Sequence, residues 1–210
     1  MSFSNDVRNE LTRIIPEKSC CQKAELAALL MLRADLKENK DGQPYLITTV
    51  ENATPARKIY RLLKKAYGLS SSVRVQEKKR FRKSRLYIVE TPLNSPEGDE
   101  FVQDLGASAK GINRQINWAL IGKTCCKRAF LRGIFISRGF INRPEGNYHL
   151  EIVLNDSRLV SDVGKIMQRM EVEARISERK SSLLLYIKET EKIVDFLRIV
   201  EASRALLDFE

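Results

Sequence analysis

The residues with the most chemical reach in this sequence are cations. Lys78, Lys79, Arg80, Arg82, Lys83 and Arg85 crowd around Phe81, Arg74 lies just upstream, and a thinner set, Arg175, Arg179 and Lys180, follows about 100 residues later. Guanidinium and ammonium groups at this density neutralise phosphates, and a basic hairpin of this kind can enter a major groove. The competing reading is a pair of solvated hairpin tips kept charged to block edge pairing. Two further arginines, Arg33 and Arg138, each follow an apolar stretch. Basic residues late in a helix complement its dipole and can pair with an acid such as Asp35, so helix capping stands beside DNA contact for these two.

The cysteines point elsewhere. They come as two adjacent pairs, Cys20-Cys21 and Cys125-Cys126, without CxxC spacing and with one histidine, His149, in the chain. That pattern argues against a zinc site, and the thiols read as small apolar fillers at the start of buried helices, with no metal or other cofactor expected. His149 has no visible partner nearby in sequence, and Trp118, Tyr60 and Tyr67 read as core rather than stacking platforms.

Charge and composition frame these residues. The 210 residues carry 37 basic and 27 acidic side chains, a formal charge of +10, which favours nucleic acid or another polyanion as partner. Hydrophobic residues make up 43% and charged residues 30%, a globular composition in which Thr91 to Glu100 is the only long polar stretch. No apolar run approaches the roughly 20 residues that span a bilayer, and the polar opening has no signal-peptide core. A cytoplasmic, nucleoid-associated location without a membrane partner is the expectation.

The elements that must position these groups occur twice. Ser19 to Leu36, SCCQKAELAALLMLRADL, aligns with Thr124 to Ile141, TCCKRAFLRGIFISRGFI, about 105 residues later. Each copy opens with a hydroxyl residue suited to an N-cap, and Ser19 with Gln22 has the pattern of a capping box. Leu26, Leu29, Leu30 and Met31 match Leu131, Ile134, Phe135 and Ile136, while Ala27, Ala28 and Gly133 leave room for another backbone. Beyond the helices, Pro44 to Leu69 faces Asn147 to Val172, each a strand followed by a helix. Ser72 to Gln76 with Arg85 to Val89, and Ala174 to Glu178 with Leu183 to Ile187, read as hairpins. Final helices fall around Phe101 to Leu105 and Lys192 to Ala202. The fold class is α+β, an αββαββα unit used twice about a pseudo-two-fold axis, with Leu26, Ala27, Ala28, Leu29, Leu30, Leu131, Gly133, Ile134 and Phe135 at the interface of the halves. The boundaries expected are an N-terminal helix over 1–18, half-domains over 19–110 and 124–210, and a linker over 111–123. Val7, Leu11 and Ile14 share the buried face of the first helix. A symmetry satisfied within one chain makes a monomer the default.

LRGIFISRG, Leu131 to Gly139, resembles the LAGLIDADG motif of homing endonucleases, and LAALLMLRA, Leu26 to Ala34, is a weaker copy at the equivalent place. SFSNDVRNEL at the start, CC-x-x-A-x-L in each half, VENATPARKIY at Val50 to Tyr60 and the terminal ALLDFE resemble the WhiA family of sporulation regulators over essentially the whole chain. The resemblance implies motif helices at the interface of the halves and saddle-shaped sheets lying on double-stranded DNA. In the nucleases an acid just before the final motif glycine holds the catalytic metals. Arg33 and Arg138 stand at those positions, and a guanidinium neither coordinates a cation nor accepts a proton at neutral pH. Asp35 lies two residues beyond Arg33, but its counterpart is Phe140. The resemblance therefore implies a non-catalytic DNA-binding module of a regulator of sporulation or cell division and chromosome segregation. The alternatives are a scaffold for another transcription or cell-division protein and, behind both, an active nuclease. The family's C-terminal helix-turn-helix has no counterpart in these residues, so the chain is expected to be a fragment of a longer protein or a member without that domain.

Overall fold

The computed structural model describes residues 2–78, 84–107, 111–142, 149–179 and 182–208. Helix α1 (Phe3–Arg13) precedes the first repeat, α2 (Ser19–Met31), β1 (Ala34–Glu38), β2 (Pro44–Val50), α3 (Ala53–Tyr67), β3 (Ser72–Lys78), β4 (Ser84–Pro92) and α4 (Pro96–Leu105). The second repeat is α5 (Thr124–Arg138), β5 (Gly139–Ile141), β6 (Leu150–Val153), α6 (Ser157–Gln168), β7 (Arg175–Arg179), β8 (Ser182–Ile187) and α7 (Thr190–Val200), followed by α8 (Ser203–Leu207), a short helix the sequence pattern did not announce. Each repeat builds an antiparallel four-stranded sheet, in the orders β1-β2-β4-β3 and β5-β6-β8-β7. The αββαββα duplication is thus the observed architecture.

The two motif helices bury most of their residues, Glu25 and Arg132 included, so they are stable only when surrounded. Leu26, Ala28, Leu29 and Leu30 of α2 and Leu131, Gly133, Ile134 and Phe135 of α5 are buried, with Ala27 half-buried. The helices pack against each other along the centre of one continuous core. Their first-turn cysteines meet at one end and their terminal arginines at the other, so they run parallel. Gly133 sets the closest approach: a Cβ there would lie 2.7 Å from both Ala28 Cβ and the Glu25 carbonyl oxygen. The capping box does not form. Helix α2 starts at Ser19 itself without a side-chain cap, and Gln22 Nε2 donates back to the carbonyls of Pro16 and Glu17 at 2.7 and 3.3 Å.

The flanking elements obey their patterns. Ala56, Ile59, Leu62, Leu63 and Tyr67 give α3 its buried stripe, and Leu159, Val163, Ile166 and Met167 do the same for α6. Gly68, at φ +73°, ends α3 because the left-handed turn lets Leu69 N–H reach the Leu63 carbonyl at 3.2 Å. Helix α1 buries Phe3, Val7 and Leu11 and ties the repeats together: Arg8 Nη1 donates to the Gly139 carbonyl at 3.2 Å, and Ile141 N–H to Ser4 Oγ at 3.3 Å.

A charged network crosses this core. Glu25 of α2 is fully buried and accepts from Arg132 Nε and Nη2, both at 3.1 Å, and from Lys58 Nζ. Lys58 also donates to the carbonyls of Leu11 and Ile14 at 2.8 and 2.6 Å, and Arg132 to Glu201 at 2.5 Å. Four helices and the end of α7 thus share one set of charge-assisted bonds, and the buried charges persist because each is paired.

Two aromatic expectations are corrected. Tyr67 is buried, its ring edge-on to Phe101 and its hydroxyl bonded to Asp104 at 2.8 Å, but Tyr60 is 41% and Trp118 39% exposed. Trp118 lies in the connection between repeats with the Arg169 guanidinium 5.7 Å above its ring, where a cation stabilises an exposed face.

Candidate nucleic-acid interface

Strand alternation gives each sheet a helix-covered face and an open one. In the first sheet Leu46, Thr48, Val50, Val89 and Thr91 are buried against the helices. The cross-strand partners Asp35, Ile47, Glu90 and Ser72, and Thr49, Ile88 and Arg74, share the opposite face. In the second sheet Ile141, Leu150, Ile152, Leu185 and Ile187 are buried, and Phe140, Glu151, Tyr186 and Arg175 line the open face, with Arg179 further along β7. Asp35 and Phe140, paired by the repeat, occupy equivalent exposed positions.

The basic run brackets the β3–β4 connection, as a hairpin reading requires, since β3 ends at Lys78 and β4 begins at Ser84. Lys79, Arg80, Arg82, Lys83 and Lys180 lie outside the described residues, as does the Lys78 side chain. The rest of the set is split. Arg74 is on the open face, 2.6 Å from Glu90, whereas alternation puts Arg85 on the other face, 3.9 Å from Glu77. In the second sheet Arg179 lies 2.7 Å from Glu151 and Arg175 3.8 Å from Glu189. The Arg74, Arg85 and Arg175 pairs are largely exposed, so each contributes only about 0–1 kcal/mol and can be exchanged for a phosphate at little cost, whereas Glu151, the partner of Arg179, is mostly buried. His149 does have a partner: its Nε2 bonds Glu151, two residues on along the same face, and its ring stacks on Tyr186 at 6.1 Å.

Arg33 and Arg138 meet on the axis between the sheets. Arg33 Nη2 donates to the Ser137 carbonyl at the end of α5 at 2.7 Å, and Arg138 Nη2 to the Leu32 carbonyl at the end of α2 at 3.4 Å. Each therefore caps the other repeat's helix rather than its own, and supplies positive charge where the helix dipole is negative. Arg8 joins them, and Glu51 offsets part of the charge. Burial first, and then the Arg138 guanidinium, holds the Arg33 pKa below its ordinary value, and burial does the same for Arg8. Arg8, Asn9, Arg33, Glu51, Thr54 and Ser137 border a cleft of about 510 Å³. Arg8 escaped the sequence reading because α1 lies outside the repeat, so no counterpart in the second half drew attention to it.

Paired parallel helices between two antiparallel sheets of this topology define the LAGLIDADG homing-endonuclease fold. The structure of I-DmoI in complex with DNA and Mn superposes on 87% of this chain and 97% of its own at TM-score 0.60 and 13% identity. The full-length DUF199/WhiA structure from Thermatoga maritima covers the whole chain and 68% of its own length, at TM-score 0.69 and 20% identity. Residues 19–108 match the WhiA N-terminal LAGLIDADG-like domain and residues 127–210 the WhiA LAGLIDADG-like domain. The chain belongs to the WhiA family. The Probable cell division protein WhiA of Syntrophomonas wolfei is 54% identical over 213 residues, and that of Desulforamulus reducens 40%. This chain aligns in full to both and spans 68% and 66% of their lengths. No helix among the described residues is long and apolar enough to cross a membrane.

Proposed function

We propose that this chain is a non-catalytic module that binds double-stranded DNA as a monomer, within a regulator of sporulation or cell division and chromosome segregation acting on the nucleoid. The observation that carries the reading is the exchange of Arg33 and Arg138 across the axis. Two guanidiniums stand between two open sheet faces, where metal-dependent hydrolysis would need carboxylates and phosphate binding needs cations. The basic β3–β4 connection and the DNA complex of the structural neighbour I-DmoI support the same surface.

One observation favours a scaffold that engages another transcription or cell-division protein instead: Arg74, Arg85, Arg175 and Arg179 each have a carboxylate within 4 Å. The discriminating experiment is fluorescence anisotropy with random duplex DNA across a salt series. The control has Lys78, Lys79, Arg80, Arg82, Lys83 and Arg85 changed to Ala. DNA binding requires affinity that falls steeply with salt and a flatter slope in the variant. No binding at low salt would leave the scaffold reading standing. Magnesium-dependent cleavage that disappears on Asp35→Asn would overturn the non-catalytic assignment.

A further inference from the structure

The four cysteines form the cluster of metal-ligating side chains that the DNA reading leaves unused. Cys20 and Cys21 are the second and third residues of α2, and Cys125 and Cys126 hold the same places in α5. Because the helices run parallel, both pairs arrive at one end of their interface, and the four Sγ atoms lie within 4.8 Å of one another. All four are free thiols, Cys21 and Cys126 buried, Cys20 and Cys125 half-buried.

Four thiolates around zinc, with Zn–S near 2.3 Å, give a tetrahedron whose S···S edges are about 3.8 Å. The observed cluster needs a contraction of about 1 Å at most along any edge to reach that geometry, within the range of small χ1 rotations. We propose that Cys20, Cys21, Cys125 and Cys126 form a tetrathiolate site for a single zinc ion. Binding forms four Zn–S bonds and releases the four thiol protons, with no change of oxidation state. One ion fits better than an iron–sulfur cluster, whose bridging sulfides hold thiolates further apart. The complex carries a net charge of −2, which the first-turn N–H groups of α2 and α5 offset. Lys18 and Arg128 add positive charge from the rim of a cleft of about 640 Å³ that Cys21 and Cys125 also line, which opens the site to solvent. The ion clamps the repeats at one end of the helix pair as Arg33 and Arg138 do at the other.

The test uses the whole chain, reduced, stripped of metal and titrated anaerobically with cobalt and then zinc. The expected result is one equivalent of cobalt with a thiolate-to-cobalt charge-transfer band and tetrahedral d–d bands. One equivalent of zinc should bleach that spectrum and protect the thiols from Ellman's reagent. Cys20→Ser and Cys125→Ser, at half-buried positions and with circular dichroism confirming the fold, should each weaken binding at least tenfold. Should either variant fail to fold, the wild-type spectrum and thiol protection decide the matter. Folded wild-type protein with four reactive thiols and no tetrahedral spectrum at excess cobalt would overturn the site. So would a disulfide between the two pairs in protein isolated with its thiols blocked.

Discussion

Changing Glu25 to Gln removes the only buried carboxylate of a network that holds two buried cations. The Lys58 and Arg132 side chains are 0% and 4% exposed, and once Glu25 is neutral their remaining ionic partner is Glu201, itself 51% exposed. Removing one partner of a buried ion pair costs about 3–5 kcal/mol. Lys58 limits the damage by shedding its proton. Burial has already lowered its pKa to about 8 against the pull of Glu25, so neutralising it at pH 7 costs on the order of 1 kcal/mol. The expected loss at pH 7 is therefore about 3 kcal/mol, the low end of the range, and it shrinks at pH 9.5, where the wild-type Lys58 is neutral as well. Urea denaturation followed by far-ultraviolet circular dichroism at both pH values measures this, an unchanged m-value showing that the shift in midpoint is a change in stability. A loss below about 1 kcal/mol at pH 7, or one that grows with pH, would refute the charge argument.

The same lysine sets a pH dependence in the unmodified chain. Its folded pKa of about 8 lies below the ordinary 10.5, so the unfolded chain binds more protons between those values and stability rises with pH across that window. The gain from pH 7 to 9.5 is about 2 kcal/mol and should vanish in Lys58→Met, as paired urea melts will show. Gly133→Ala forces a methyl to within 2.7 Å of Ala28 Cβ and the Glu25 carbonyl, costing about 1–3 kcal/mol. Adding Ala28→Gly should recover only part of that loss, because the carbonyl contact remains. Arg33→Met loses a part-buried bond of 2.7 Å and should destabilise by about 1.5 kcal/mol, against about 0.5 kcal/mol for Arg138→Met, whose bond is longer at 3.4 Å and whose side chain is more exposed, measured by thermal melts. If both face phosphates, the double variant also lowers the slope of log K against log salt by about 2.

The repeat was the most legible feature, because apolar spacing is local and recurs at one offset. The αββαββα order and the burial of Leu26, Leu30, Leu131 and Ile134 follow from the pattern of apolar residues, which must find a core. The resemblance to the nuclease motif likewise implied, from sequence alone, that Arg33 and Arg138 stand where nucleases carry acids. It could not say what those arginines touch. Arg33 and Arg138 bond carbonyls more than 100 residues away, and such partners exist only once α2 and α5 lie parallel. The same packing decided the rest. It joined Glu25 to Lys58 and Arg132, put Arg85 on the opposite face from Arg74 by strand alternation, and brought two unremarkable Cys-Cys pairs into one cluster. The signal for that cluster was present as identical pairs opening two helices expected to pack together. Testing each pair for CxxC spacing missed it, because ligand spacing within a segment says nothing about ligands that two segments share. Periodicity and residue type are properties of the chain, whereas charge pairing and metal geometry are properties of distances across it, which only the packed helices set.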